Sequence, residues 1–447
     1  MTETAPYPEY KDSGLAWAPR LPAEWSKTRL SHVSTIYAGG TPDRTNPDFW
    51  TDGTVPWLNS GSVNDGVITS HSELITQQAA TGSSTRWAHA GSVVVALAGQ
   101  GKTKAMAARL EISSTFNQSM AAVVPMPLLL DYRFLHYWLT SNYQSIRNLA
   151  GGDLRDGLNL QHVGSIQVPL PPLTQQTAIA DFLDRETAEI DAFIADQEEL
   201  IGLLTERRVA TITHAVTKGL DPSAPMKDSG VEWLGAVPSH WTVGRIGSSV
   251  AAAKNGVWGE EPNGGNDIRC VRVADFDRPA QRIHDRDVTY RAITESERRG
   301  RVLQRGDLLL EKSGGGERSP VGFVVLYDRD EPAVTSNFVA RVQLRAGMDA
   351  RYWTYVHSSN YSRRLTARSV KQSTGIQNLD QWSYFSEATP LPPEGEQTAI
   401  ADYLDHETAE LDATIADARE AIALSKERRA ALISATVTGK IDVRGLA

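Results

Sequence analysis

"QTAIADFLDRETAEIDAFIAD" runs from Gln176 to Asp196, and "QTAIADYLDHETAELDATIAD" runs from Gln397 to Asp417. Extended without a gap, residues 176–221 and 397–442 agree at about 28 of 46 positions, far beyond chance for a single register, so the chain carries a duplication. Both copies read as helix. Ile179, Leu183, Ile190, Ile194, Ile201, Ile212 and Val216 recur in steps of 4, 7, 4, 7, 11 and 4. Ile400, Leu404, Leu411, Ile415, Ile422, Ile433 and Val437 repeat those steps, which lay one apolar stripe along a straight helix. Alanines such as Ala180, Ala188 and Ala195 raise helix propensity and permit close approach. Prolines at 169, 171 and 172, and again at 390, 392 and 393, end the preceding strand, while Gly219 and Gly439 suit the helix ends.

Some 42 residues at about 1.5 Å each make a rod of roughly 63 Å. Such a rod cannot hide its stripe from water alone, and its obvious partner is the other copy. The short link "LDPSAPMKDSG" at Leu220–Gly230 predicts that the two rods run antiparallel, related by a pseudo-two-fold axis. A second pair of matching words precedes each half: "KDSGLAWAPRLPAEW" at Lys11–Trp25 and "KDSGVEWLGAVPSHW" at Lys227–Trp241. Each half therefore reads as a leader, a variable globular domain and a conserved helix. The expected division is a domain over 1–172, a helix over 173–219, a second domain over 220–393 and a second helix over 394–442. Strands mixed with helices make each domain α/β or α+β.

The chain of 447 residues has a net charge of −9, a balance that disfavours nucleic acid until it is resolved by segment. Residues 173–221 and 394–442 carry −6 each, whereas 222–393 carries +3, so the acid lies in the helices and the domains stay free to present a basic face. No run of about 18 apolar residues is present and the acidic start "MTETAPYPEYKDSG" has no apolar stretch, which predicts a cytoplasmic protein. Cys270 is the single cysteine and excludes an internal disulfide; it reads as a small buried residue.

Catalytic motifs are not found. "ALAGQGKT" resembles a phosphate loop after a strand, yet Ala96 stands where the pattern needs glycine. "NPDF" at Asn46–Phe49 resembles a tetrapeptide that holds a flipped adenine, but Asp48 replaces a proline and no cofactor turn accompanies it. The ten histidines have no metal-ligand spacing. What remains is a binding surface. "AGSVVVALAGQGKTK" at Ala90–Lys104 and "RGDLLLEKSGGGERS" at Arg305–Ser319 share a Gly-led turn, a buried strand and a Gly-rich basic loop. Lys102, Lys104 and Arg109, and in the second domain Lys312 and Arg318, are expected against phosphates, because cationic side chains on open loops fit backbone contacts. Two further clusters suit base edges: Arg155, Asn159 and Gln161 in "GGDLRDGLNLQ", and Arg368, Lys371, Gln372, Ser373, Thr374, Gln377 and Asn378 in "RSVKQSTGIQNL". Trp138, Tyr143, Trp353 and Tyr361 stand at helical spacing and read as core.

The leader "KDSGVEWLGAVPSHW", the domain end "STGIQNL" with "PLPP", the helix start "EQTAIADYLD", the helix end "KERRAALISATVTGKID" and their duplication resemble the specificity subunits of type I restriction-modification systems. The resemblance covers almost the whole chain. It implies two target-recognition domains, each reading one half of a split, asymmetric DNA sequence, with the paired helices setting the spacer. It also implies two docked adenine methyltransferase subunits and, where present, a restriction and translocation subunit. Such partners would bring S-adenosylmethionine, ATP and magnesium, with no cofactor or metal in this chain, which is non-catalytic. The first copy departs from the pattern: "GGDLRDGLNL" lacks Ser-Thr-Gly, and "LTQQT" has Gln175 where an acid is usual. The competing readings are a self-sufficient DNA methyltransferase or nuclease, against which the missing motifs speak, and a scaffold without DNA binding.

Overall fold

The computed structural model describes residues 6–15, 17–99, 101–149, 157–316, 319–373 and 376–445, with backbone alone at 372 and 373. The chain divides into two compact units, residues 1–196 with 421–447, and residues 197–420. The division cuts both duplicated helices, so each unit owns the start of one and the end of the other.

The helices are continuous, Leu173–Lys218 and Glu394–Val437. Their stripes are buried as read except at Ile201 and Ile422, which are half-buried. In the first unit Ile179, Phe182 and Leu183 share a core with Ile433 and Val437. In the second, Ile212, Ala215 and Val216 share one with Ile400, Ala401 and Leu404. Start meets end in each case, so the pair is an antiparallel coiled coil. Charge order favours that direction, because the acidic first half of each helix meets an arginine pair near the end of the other, Arg428 and Arg429 or Arg207 and Arg208. Arg429 Nε lies 2.8 Å from Asp191, and Arg208 Nε lies 3.0 Å from Asp412. Partly exposed pairs of this kind add modestly, and the apolar stripe contributes most of the stability.

The globular parts share one plan. In the first unit Ser34–Ala38, Met120–Pro125, Val93–Ala96, Ala107–Leu110 and Val67–Ile68 lie side by side in that order. In the second, Val250–Asn255, Val339–Leu344, Leu308–Glu311 and Val324–Leu326 repeat the first four places. The central strand Val93–Ala96 of the first unit is apolar on both faces; Val93, Val94 and Val95 are fully buried, as expected of a strand covered on both sides. A second, smaller sheet accompanies each, and an aromatic helix follows, Tyr132–Ser141 or Ala350–Ser362. Trp138 and Trp353 are core, whereas Tyr143 and Tyr361 are half-buried and spend their hydroxyls on the carbonyls of Lys102 and Pro320. Cys270 is buried.

Pro169 and Pro390 stand inside short strands, Gln167–Leu170 and Ala388–Leu391, rather than after them. Each belongs to a two-stranded sheet, opposite Lys27 or Val243, where every strand is an edge and a missing N–H is tolerated. Pro172 and Pro393 then immediately precede the long helices.

The leaders are hairpins, Tyr10–Leu15 with Ala18–Pro22 and Met226–Asp228 with Ala236–Pro238. Each ends in a buried tryptophan that joins the start of one helix to the end of the other. Trp25 Nε1 donates to Gln175 Oε1 at 3.0 Å and packs where a Cβ on Gly439 would stand, 3.2 Å away. Trp241 Nε1 donates to Glu396 Oε2 at 2.8 Å and stands 3.2 Å from the Cβ place of Gly219. Both glycines have φ above +70°, the left-handed geometry that closes a helix.

Candidate DNA interface

In the first unit the loop after Val93–Ala96 is tied down by the segment that follows the aromatic helix. Tyr143 Oη donates to the carbonyl of Lys102 at 2.7 Å, and Arg147 Nη1 donates to that of Lys104 at 3.2 Å. Lys102 projects into solvent, as a phosphate contact requires. Two expectations are corrected here. Lys104 is buried, at 4% exposure, rather than open on the loop. Arg109 lies 2.5 Å from Asp184 of the first long helix and 3.1 Å from Glu111, so it fastens the domain to the helix instead of offering a free cation. Burial opposes ionisation of Asp184, but hydrogen bonds from Tyr137 and Arg109, with the guanidinium charge, hold its carboxyl below the usual carboxylate range.

Asn159 caps the short helix Leu160–Ser165 by accepting from the His162 amide at 2.8 Å. Gln161 lies exposed on that helix and lines a groove with Arg29, Ser31 and Ser165. Arg155 lies outside the described residues.

In the second unit the fold joins clusters that are far apart in sequence. Ser313–Gly314 pairs with Ile376–Leu379, which pairs with Val370–Ser373, so the loop after Leu308–Glu311 and the "KQSTGIQNL" segment form one three-stranded ribbon. Lys312 Nζ donates to Asn255 Oδ1 at 2.8 Å; burial pulls its ammonium pKa down, opposed by Asp380. Asn378 accepts from Ser313 Oγ at 2.5 Å, and Gln377 Oε1 accepts from the Val321 amide at 3.3 Å. Lys371 meets Asp380 at 2.7 Å, and Arg368 stands 3.7 Å from Glu387. Both of these basic side chains are exposed, so their pairs are cheap to exchange for phosphate. Arg318 and Thr374, and the side chains of Gln372 and Ser373, lie outside the described residues.

Beside this ribbon opens a cleft of about 520 Å³ whose residues the sequence reading missed: Trp258, Arg272, Glu311, Ser336, Asn337 and Phe338. Trp258 and Phe338 are 40% and 47% exposed. Glu311 is buried and receives Arg278 Nη2 at 2.8 Å; burial pushes its carboxyl pKa up against the attraction of Arg278. A charged residue ending an otherwise apolar strand, "LLLE", was the available signal. Among the described residues no group of His, Cys, Asp and Glu could hold a metal ion, and no helix is long and apolar enough to cross a membrane.

The frame is kept and the residues at several matched places differ. Ala96 and Glu311 occupy one register place, opposite Met120 and Val339. Ala38 and Asn255 occupy another, opposite Ala121 and Ala340. Counting three residues on, Thr41 corresponds to Trp258.

Residues 22–200 match the family model described as type I restriction modification DNA specificity domain. The chain is 22% identical to the type I restriction enzyme StySPI specificity subunit of Salmonella potsdam, over 85% of this chain and 81% of that one. It is also 22% identical to the EcoKI specificity subunit of Escherichia coli strain K12, over 86% and 82%. A chain solved in work on the assembly and conformational transition of the type I R-M system superposes with a TM-score of 0.64 at 17% identity, over 93% of this chain and 98% of that one.

Proposed function

We infer from its likeness to the type I restriction-modification specificity subunits that this chain is the DNA-reading component of such a system, recognising sequence without catalysing a reaction. The observation that carries this reading is a duplicated frame whose two domains differ where they are open. Leaders, sheet order and helices repeat, while at one matched place the half-buried Thr41 gives way to the exposed Trp258. A frame kept twice around different surfaces suits two unlike half-sites in one target.

In this reading each domain takes one half of a bipartite, asymmetric sequence. Lys102, Lys312, Arg368 and Lys371 meet phosphate, and Asn159, Gln161, Gln377 and Asn378 lie against bases. Arg155, Gln372, Ser373, Arg318 and Thr374 complete these clusters. The continuous helices set the number of unread base pairs between the halves. Two adenine methyltransferase subunits dock on the complex and bring S-adenosylmethionine; a restriction subunit would bring ATP and magnesium. The work is cytoplasmic, where the DNA lies.

Gel shifts with duplex DNA test this reading. Binding must prefer the sequence found by methylation mapping over bulk DNA and must weaken as salt rises, because phosphate contacts release counterions. A scaffold without a DNA role would give no shift. A self-sufficient methyltransferase would transfer labelled methyl groups without a partner, which this chain is expected not to do.

A further inference from the structure

The cleft in the second unit is a recess, whereas groove reading of a stacked base pair needs side chains that project. Its mouth carries Trp258 and Phe338, both substantially exposed. The indole is held in place: the Arg291 guanidinium lies 4.7 Å from its ring centroid, and Arg291 Nε donates to the Trp258 carbonyl at 3.2 Å. Arg272 is fixed on the same lining by Asp275 at 2.7 Å and the Asp287 carbonyl at 2.9 Å.

Ser336 lies deeper, at 1% exposure, and its Oγ has no hydrogen-bond partner among the described residues. A buried hydroxyl left without a partner is costly, so a polar group delivered into the recess would be favoured. Gly256 lets the chain pass here, since a Cβ on it would stand 2.1 Å from the Ser336 carbonyl. The first unit has the same passage at Gly39, but the place of Trp258 is taken by Thr41, whose Oγ1 donates to Gln118 Oε1 at 2.5 Å. That pair satisfies itself, so a threonine–glutamine pair and not an aromatic ring stands at this place in the first unit.

We propose that this recess receives one nucleobase extruded from the DNA held by the second unit, its faces against Trp258 and Phe338 and its polar edge meeting Ser336 Oγ. The proposal rests on the DNA-reading role above. Aromatic rings stack on any base, and extrusion costs least where pairing is already weak, so selectivity falls to the polar floor. About 520 Å³ leaves room for a base with part of its sugar.

The test uses the full chain and duplexes carrying the mapped target, each with one abasic nucleotide, the position moved along both half-sites. Trp258→Ala/Phe338→Ala is expected to bind the intact duplex about tenfold or more weaker, the worth of stacking one base. That loss should vanish on the duplex abasic at one position of the second half-site and persist at all others. Both side chains are exposed, and an unchanged melting temperature verifies folding. Ser336→Ala is expected to relax the base preference at that same position and nowhere else. An equal loss at every position, or no loss, overturns the proposal while sequence-specific binding by the unaltered chain leaves the DNA reading standing. Equilibrium dialysis against the four free deoxynucleosides separates the source of the base. Retention of a free nucleoside that the double variant abolishes, with duplex affinity unchanged, would overturn extrusion.

Discussion

Tyr137 Oη donates to Asp184 Oδ1 at 2.7 Å, and the same bond recurs in the second unit, where Tyr355 Oη donates to Asp405 Oδ1 at 2.8 Å. The surroundings repeat with it. Arg133 Nη1 reaches Asp181 at 2.7 Å and Asp184 at 3.1 Å; Arg351 Nη1 reaches Asp402 at 2.7 Å and Asp405 at 2.9 Å. Thr187 and Thr408 each stand 3.2 Å from the tyrosine oxygen. The duplicated acids of "IADFLD" and "IADYLD" are thus fasteners between domain and helix, which explains why the helix start is so similar in the two copies.

Asp184 has one more partner than Asp405, because Arg109 joins it from the sheet. Asp184→Asn leaves Arg109, itself only 15% exposed at its side chain, without its closest carboxylate. We expect a loss of about 2–4 kcal/mol in unfolding free energy, and a smaller loss for Asp405→Asn. Urea titrations of the two variants measure both; equal effects would contradict the three-partner account.

Gln175 departs from the acid of the second copy for a local reason. Its Nε2 donates to Glu24 Oε1 at 2.9 Å, whereas the residue facing Glu396 is His240, whose Nε2 lies 2.7 Å from Oε1. Gln175→Glu would set two carboxylates together and is expected to cost about 1 kcal/mol at neutral pH. Glu24→His in that background should restore stability by recreating the second arrangement. Thermal unfolding of the single and double variants decides this, and the absence of rescue would refute the pairing.

The helices, their stripes and their antiparallel order were legible because a strict apolar period admits one buried face and the short link admits one direction. The sheet plan was visible in part: Val93–Ala96 and Leu308–Glu311 read as strands from their apolar runs, but their neighbours follow from long-range pairing that no local pattern records. The interface was harder. Lys104 and Arg109 looked like open cations in linear order, and only the folded chain shows that one is buried and the other held by an aspartate 75 residues on. Trp258 and Phe338 carried no periodic signal, since two loops 80 residues apart in the sequence make the cleft.

Two buried histidines predict an acid-side loss of stability. Burial pulls His357 down to about 4; burial, with the nearby Arg109 charge, does the same for His136. In the unfolded chain a histidine takes its proton near 6.5. The folded form therefore binds fewer protons between these values, so the contribution is full above about 6.5 and is lost as pH falls toward 4. Denaturant midpoints should decline over that window. His136→Gln/His357→Gln should flatten the decline, even though the loss of the 2.7 Å contact between His357 Nδ1 and Tyr384 lowers stability at every pH. An unchanged slope would place the titrating groups elsewhere.

Helix length offers the test that reaches furthest into function. One added turn, about four residues, lengthens an α-helix by roughly 6 Å, close to two base-pair steps of duplex DNA. The turns must enter both helices together, after Asp196 in one and after Glu420 in the other, so that the stripes of Leu173–Lys218 and Glu394–Val437 stay in register and Asp191 still meets Arg429. If the helices set the unread spacer, methylation mapping of such a variant will find the same half-sites separated by about one to two more base pairs. Half-sites kept at the original separation would refute that role, and altered half-sites would mean that the added turns disturb the reading surfaces themselves.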